Sequence, residues 1–185
     1  MAVSITEIRQ GNTFEYKGDI FRCVEYNHIK WAQQARIRLK MKNLRTGAII
    51  EETFNVGVKL EKIHIEYRPM QYLYNDGEKY HFMDQETFNQ IELKKEQLGG
   101  TERFIKEGFI VNIAFHEEEA LDITLPASVD LKVTETTPEF KGNTVSGGKP
   151  ATVETGYTIP SVPFFTKVGD VLKVDTRDGK YLGRS

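Results

Sequence analysis

The chain has 185 residues, of which 39% are hydrophobic and 28% charged, a composition that is typical of a folded soluble protein and not of a disordered one. No apolar run approaches the roughly 20 residues of a membrane helix, and the opening MAVSITEIRQ lacks the features of a signal peptide, so we expect a cytoplasmic protein without membrane contact. The single cysteine, Cys23, excludes an internal disulfide, and its apolar strand context predicts a buried thiol.

The formal net charge of −2 hides an uneven distribution. Lys and Arg outnumber Asp and Glu by 11 to 7 in residues 1–63, the balance is 6 to 13 in residues 64–126, and it is 8 to 7 in residues 127–185. A protein that binds a polyanion need not be basic overall if its cations are concentrated on one element. The first third of the chain therefore carries the basic signal.

The first predicted element is a β-hairpin with a charged outer face. Residues 20–29, IFRCVEYNHI, mix β-branched and aromatic residues and predict one strand, residues 30–35 form the connection, and the run RIRLKMK predicts the second strand. Strand alternation puts the apolar residues of that run on one face and its cations on the other. These cations are Arg36, Arg38, Lys40 and Lys42. Such a face is either merely solvated or a surface for RNA.

The rest of the chain predicts further short strands. Most segments alternate in polarity and are rich in Val, Ile, Tyr and Phe, which is typical of β-sandwiches and barrels, and YNDGEKY and TRDGKY each place Asp-Gly between strand-like flanks, a hairpin signal. The stretch DQETFNQIELKKEQLGG predicts a short helix that begins near Asp84 and ends before Gly99 and Gly100. The sequence therefore indicates an all-β protein.

The common sequence signatures of catalysis and metal binding are missing. The four histidines have no metal-ligand spacing, and the sequence has no P-loop, no G-x-G-x-x-G and no G-x-S-x-G. The acidic run HEEEALD, residues 116–122, is typical of a solvated turn between two strands. We therefore expect no enzyme, no cofactor, no metal site and no catalytic residue.

The last third of the chain carries a specific family signature. The elements KPATVETG, VPFF, GD and VDTRDGKY, within residues 149–181, resemble the C-terminal signature of the bacterial translation elongation factor P family. KNLRTGAIIEETF, MQYLYNDGEKYHFMDQETF and LPASVDLKVTETTP are similar to the family's first and second domains, in the right order. The resemblance covers nearly the whole chain.

This resemblance implies three small β-barrels in an L-shaped, tRNA-like arrangement. They would be an SH3-like barrel over residues 1–63, with the basic hairpin projecting from it, and two OB-fold barrels over residues 64–127 and 128–185. The family binds both ribosomal subunits beside peptidyl-tRNA, as a monomer, and promotes peptide-bond formation at stalled, proline-rich sequences. The hairpin would be the tip that meets rRNA and the acceptor end of the tRNA.

The tip departs from the family's pattern. The family writes it K-P-G-K-G or K-P-G-R-G, with a central Lys or Arg that is often modified, whereas the stretch KWAQQA puts Gln33 at the central position and is one residue shorter. The resemblance nevertheless assigns the RNA contacts to this tip and the following strand. The assigned residues are Lys30, Trp31, Ala32, Gln33, Gln34, Arg36, Arg38, Lys40 and Lys42.

The third domain departs as well. A loop that the family writes K-G-D-T, implied to meet mRNA in the exit site, is K-G-N-T here, with Gly142, Asn143 and Thr144 as the candidate contacts. We also assign Tyr181 and Arg184 to contacts with the small subunit. Two alternatives stay open at this stage: a divergent paralogue with another stall spectrum, and an OB-type RNA-binding module that acts off the ribosome.

Overall fold

The computed structural model describes residues 1–31, 34–138 and 147–185, with Trp31 described by its backbone alone. These residues form three antiparallel sheets, each with its own apolar core, as predicted for an all-β chain of small barrels. No helix among the described residues has the length and apolar character needed to cross a bilayer.

The first barrel contains six strands in the order β1-β6-β2-β3-β4-β5. They are β1 (Ala2–Ser4), β2 (Thr13–Tyr16), β3 (Asp19–Trp31), β4 (Gln34–Asn43), β5 (Ile49–Asn55) and β6 (Lys59–Lys62), and a 3₁₀ turn at Ile5–Glu7 follows β1. Cys23 is only 1% exposed in this core, which confirms the predicted buried thiol, and burial raises its pKa. β2 and β3 meet at a tight turn in which Lys17 and Gly18 both have positive φ, the geometry that fits the twist of a hairpin.

The middle barrel contains five strands in the order β11-β10-β7-β8-β9. They are β7 (Glu66–Asn75), β8 (Lys79–Asp84), β9 (Gln90–Lys94), β10 (Ile110–His116) and β11 (Glu119–Thr124). The predicted Asp-Gly hairpin joins β7 to β8, and Glu117 and Glu118 of the acidic run form the turn between β10 and β11. The hairpin prediction is confirmed, whereas the prediction of a solvated turn holds only for Glu117 and Glu118, because Glu119 to Asp122 belong to β11 and Asp122 is buried.

The third barrel also contains five strands, in the order β14-β13-β12-β15-β16. They are β12 (Ser128–Thr136), β13 (Lys149–Val153), β14 (Thr158–Val162), β15 (Val171–Asp175) and β16 (Tyr181–Arg184). The second Asp-Gly hairpin joins β15 to β16, as predicted.

The predicted helix begins much later than expected. Asp84 does not start a helix. Its carboxylate accepts hydrogen bonds from the backbone of Glu86 and Thr87 in a turn between β8 and β9, and the Asp84 N–H closes that turn by donating to the Asn89 carbonyl. The helix, α1, covers only Lys95–Leu98 and ends at Gly99, which has φ of 60°. The stop signal was therefore right, and the start was wrong because an N-cap aspartate and a turn aspartate make the same local hydrogen bonds.

One side chain crosses from the middle barrel into the core of the third. Phe104 ends a 3₁₀ helix, Thr101–Phe104, that follows α1, yet it is 1% exposed among the side chains of the third core. Its ring meets Tyr157 edge to face with 5.3 Å between centroids. An ion pair of 2.7 Å between Lys106 and Glu154 lies at the same junction. The two barrels therefore share apolar packing.

Candidate nucleic-acid interface

The hairpin of β3 and β4 is longer and better supported than the sequence suggested. The strands pair as far as Trp31 and Gln34, so the connection is two residues and not the predicted six. On its other side β4 pairs with β5 as far as Arg36 opposite Asn55. Only two described residue pairs of the hairpin, Lys30 with Ala35 and Trp31 with Gln34, extend beyond this third strand, so β5 supports the hairpin almost to its described end.

The alternation predicted for β4 is confirmed. Ile37, Leu39 and Met41 are each 0% exposed in the first core. The four cations between and beside them point to the opposite face, where Arg36 and Arg38 are exposed and Lys40 and Lys42 are half-buried. The exposure of the cations thus increases toward the tip.

The structure adds acidic neighbours that the alternation could not reveal. On the outer face Arg38 lies 3.4 Å from Glu51 of β5, and Lys40 lies 3.1 Å from Glu25 of β3. Exposed pairs of this kind contribute about 0 to 1 kcal/mol, so either cation can exchange its carboxylate for a phosphate at little cost. Arg36 forms no ion pair with any residue that the structure describes.

Lys42, the innermost of the four cations, is engaged elsewhere. Its Nζ lies 3.0 Å from Oδ1 of Asp122 on β11, and Nη1 of Arg22 lies 2.6 Å from the other carboxylate oxygen. The Asp122 side chain is 3% exposed, and those of Arg22 and Lys42 are 20% and 22% exposed. This part of the basic strand therefore faces the middle barrel.

A second ion pair connects the same two barrels. Arg45 donates from Nε and Nη2 to the two carboxylate oxygens of Glu119 at 2.7 and 2.9 Å, and from Nη1 to Asp19 at 3.2 Å. Its hydrogen bonds to Glu119 raise the pKa of Arg45 and lower the pKa of Glu119. We call the five residues Arg22, Lys42, Arg45, Glu119 and Asp122 the Asp122 joint.

The predicted tip divides into described and undescribed parts. Lys30 and Gln34 are exposed, and strand alternation places Lys30 on the face opposite Arg36. Ala32, Gln33 and the side chain of Trp31 lie outside the described residues. The part of the tip that the structure places is thus polar and open on both faces.

The candidate contacts of the third barrel are also only partly described. Gly142, Asn143 and Thr144 lie outside the described residues. Tyr181 is half-buried against the third core. Arg184 pairs with Asp170 at 2.6 Å while 59% of its side chain stays exposed, which leaves it able to contact a second anion.

The joint was missed by the sequence reasoning, which treated residues 116–122 as a solvated turn. Asp122 belongs to a strand whose neighbours Leu121 and Ile123 are 0% and 5% exposed. An acid between two apolar residues of a short strand was the available signal, since strand neighbours point to opposite faces. Within the described residues, no three His, Cys, Asp or Glu side chains are grouped so as to hold a metal ion.

Three family models match the chain in succession. Residues 4–60 match the elongation factor P KOW-like domain, residues 65–123 the elongation factor P OB domain, and residues 129–184 the elongation factor P C-terminal domain. A solved structure of eukaryotic translation initiation factor 5A from Methanococcus jannaschii is 21% identical, with a TM-score of 0.49 over 67% of this chain and 94% of that one. That similarity is too low to bear on function.

Full-length relatives agree with the family models. Elongation factor P from Carboxydothermus hydrogenoformans is 45% identical over 98% of this chain and 99% of its own. Elongation factor P from Moorella thermoacetica is 46% identical over 99% of this chain and 100% of its own. Elongation factor P from Acetivibrio thermocellus is 47% identical over 98% of this chain and 99% of its own. Identity at this level over the whole length shows that the chain belongs to the elongation factor P family of translation elongation factors.

Proposed function

We propose that this protein binds the ribosome beside peptidyl-tRNA and promotes peptide-bond formation at stalled, proline-rich sequences. The observation that carries the proposal is the outer face of β4, where Arg36 and Arg38 are exposed on a strand that β5 supports as far as Arg36. Closely spaced cations on a rigid element suit rRNA and tRNA phosphates, which position a protein without reading sequence. A fixed tip would favour the productive geometry of the tRNA end, an effect of orientation.

The remaining features of the proposal follow the family. The protein would act as a cytoplasmic monomer without chemistry of its own, with no metal or cofactor. Its domains would be residues 1–63, 64–127 and 128–185, which the three sheets and the spacing of the family matches support. Gly142, Asn143 and Thr144 would contact mRNA in the exit site, and Tyr181 and Arg184 the small subunit.

The first prediction concerns the salt dependence of ribosome binding. Replacing Arg36 and Arg38 with glutamine should weaken co-sedimentation with ribosomes. The slope of log affinity against log salt should become shallower by about 0.7 to 0.9 for each phosphate that the variant no longer neutralises. The matched control replaces Lys59 and Lys62, two exposed cations on β6, with glutamine. If both double variants behave like the unaltered protein over the salt series, the β4 face is only solvated and does not contact ribosomal RNA.

The same preparation separates the alternatives. A single-strand binder that acts off the ribosome would bind free RNA but would not sediment with ribosomes. A paralogue with another stall spectrum would sediment normally and leave a proline-rich template stalled in a reconstituted translation system. The proposed factor should both sediment and relieve the stall.

The second prediction concerns modification of the tip. Gln33 offers neither an amine nor a guanidinium to an enzyme that attaches an extension, so we expect the protein to work unmodified. The intact mass of protein purified from its own host should equal the mass calculated from the sequence, apart from processing of Met1. An additional mass that peptide analysis locates at Lys30 or Gln33 would contradict this expectation.

A further inference from the structure

The contact between the first and middle barrels is organised around one buried carboxylate. One oxygen of the Asp122 carboxylate accepts a hydrogen bond from Arg22, and the other accepts one from Lys42. These two cations lie opposite each other where β3 pairs with β4. Both cations thus belong to the two strands that carry the tip. The Asp122 carboxylate therefore connects both strands at the base of the hairpin to the middle barrel.

An apolar cluster and a close backbone contact also join the first and middle barrels. Ile20, Leu44 and Leu121 form a buried cluster of their own, against which Ile63 and Ile65 of the connecting segment pack. Gly47 lies so close to the carbonyl oxygen of Glu96 that an added Cβ would collide with it. In the Asp122 joint, only the Asp122 carboxylate is largely removed from water, with 3% of its side chain exposed, and this partial burial strengthens its two ion pairs.

We propose that Asp122 is a positioning residue, which holds the first barrel, and with it the tip, in one orientation on the middle barrel. Lys42 then serves this joint and not the RNA surface, although the family pattern places it on the basic strand. This inference rests on the proposed function, because orientation matters only if the tip must reach one point on the ribosome.

The joint can be separated from the folding of either barrel. The first and middle barrels each have a core of ten buried residues that includes none of the five joint residues. Replacing Asp122 with asparagine leaves Arg22 and Lys42, which are 20% and 22% exposed, without their anion in the interface, which disfavours the contact between the two barrels. We therefore expect folded barrels whose relative orientation is no longer fixed.

The experiment measures orientation directly. Spin labels are attached to the full chain at Gly57→Cys and Glu86→Cys, two exposed positions on different barrels, while Cys23 is buried. The distance distribution between the labels should be narrow in the unaltered protein and broad in Asp122→Asn. Rescue of a proline-rich template should fall by up to about 100-fold, the effect of misplacing a group by about 1 Å. The control is Asp130→Asn, which changes an exposed aspartate of the third barrel.

A triple variant separates positioning from RNA contact. Replacing Asp122 with leucine and both Arg22 and Lys42 with methionine removes all three charges, and apolar residues of similar volume can substitute for a buried ion pair. This variant should regain the narrow distance distribution and most of the stall relief. It also provides a folded reference if Asp122→Asn unfolds.

Two results would overturn the inference. If the triple variant has a narrow distribution of label distances but does not relieve the stall, Arg22 or Lys42 contacts RNA itself. If Asp122→Asn has a broad distribution and full activity, orientation has no role. Failure of the proposed function looks different, because the unaltered protein would then leave the template stalled whatever the distances show.

Discussion

Replacing Phe104 with alanine is expected to lower the free energy of unfolding by about 3 to 5 kcal/mol, the usual range for a buried phenylalanine. The ring is 1% exposed and fills the third core, although its backbone belongs to the segment that follows α1. The resulting cavity would lie between two barrels, so the middle and third barrels should also unfold less cooperatively. For a chain of this size we expect the main transition to fall by about 6 to 20 °C.

Scanning calorimetry can test both parts of this prediction. A separate transition of the third barrel should appear below that of the middle barrel, because Phe104 joins their cores. Phe88→Ala is the control, since that ring is 69% exposed and its removal should change stability by less than about 0.5 kcal/mol. Equal shifts for the two variants would show that Phe104 does not connect the barrels.

The second large effect is expected at Gly47. Its φ of 74° costs alanine about 1 to 2 kcal/mol, and the added Cβ meets the Glu96 carbonyl at the contact between the first and middle barrels. Overpacking adds about 1 to 3 kcal/mol, which gives a total near 2 to 5 kcal/mol. The urea midpoint of Gly47→Ala should fall accordingly.

Gly18→Ala measures the backbone part of that effect alone, so the difference between the two variants gives the steric part. Gly18 has a φ of 83° in the β2–β3 turn, and no atom lies within 4 Å of an added Cβ. This variant should therefore show only the backbone cost. If the two variants are destabilised equally, the backbone at Glu96 moves away from the added Cβ without strain. The contact between the first and middle barrels is then less tightly packed at Gly47 than the distance indicates.

The face of β4 could be predicted because it depends on alternation alone. Neighbouring residues of a strand point to opposite sides whatever surrounds them, so the apolar set of Ile37, Leu39 and Met41 identifies the cations opposite. The partners of those cations could not be predicted. Lys42 meets a carboxylate 80 positions away in the sequence, and no local pattern encodes such a pairing.

The uneven charge distribution has a second cause besides affinity for RNA. The basic first third of the chain is compatible with RNA binding, and the acidic middle third with a role in limiting unspecific binding to RNA. In the structure, however, Arg22, Lys42 and Arg45 of the first barrel meet Glu119 and Asp122 of the middle one. Part of the segregation is thus complementarity inside the chain, which a charge count cannot separate from attraction to a ligand.

The contacts at the domain junctions could not be predicted from the sequence either. Composition and family resemblance indicate where the barrels begin, yet they could not show that Phe104 packs in the third core or that Gly47 approaches Glu96. Both contacts join segments that are distant in sequence. Tertiary packing therefore sets the features that the proposed positioning role depends on.

The separation of the joint residues along the chain also orders the folding of the newly made protein. Asp122 follows Lys42 by 80 residues and Arg22 by 100, so at a synthesis rate of about 5 to 20 residues per second the cations wait about 4 to 20 s for their anion. The first barrel can close once β6 is available to pair with β1 and β2, well before that time. It therefore folds with Arg22 and Lys42 still hydrated, and docking onto the middle barrel is a late event.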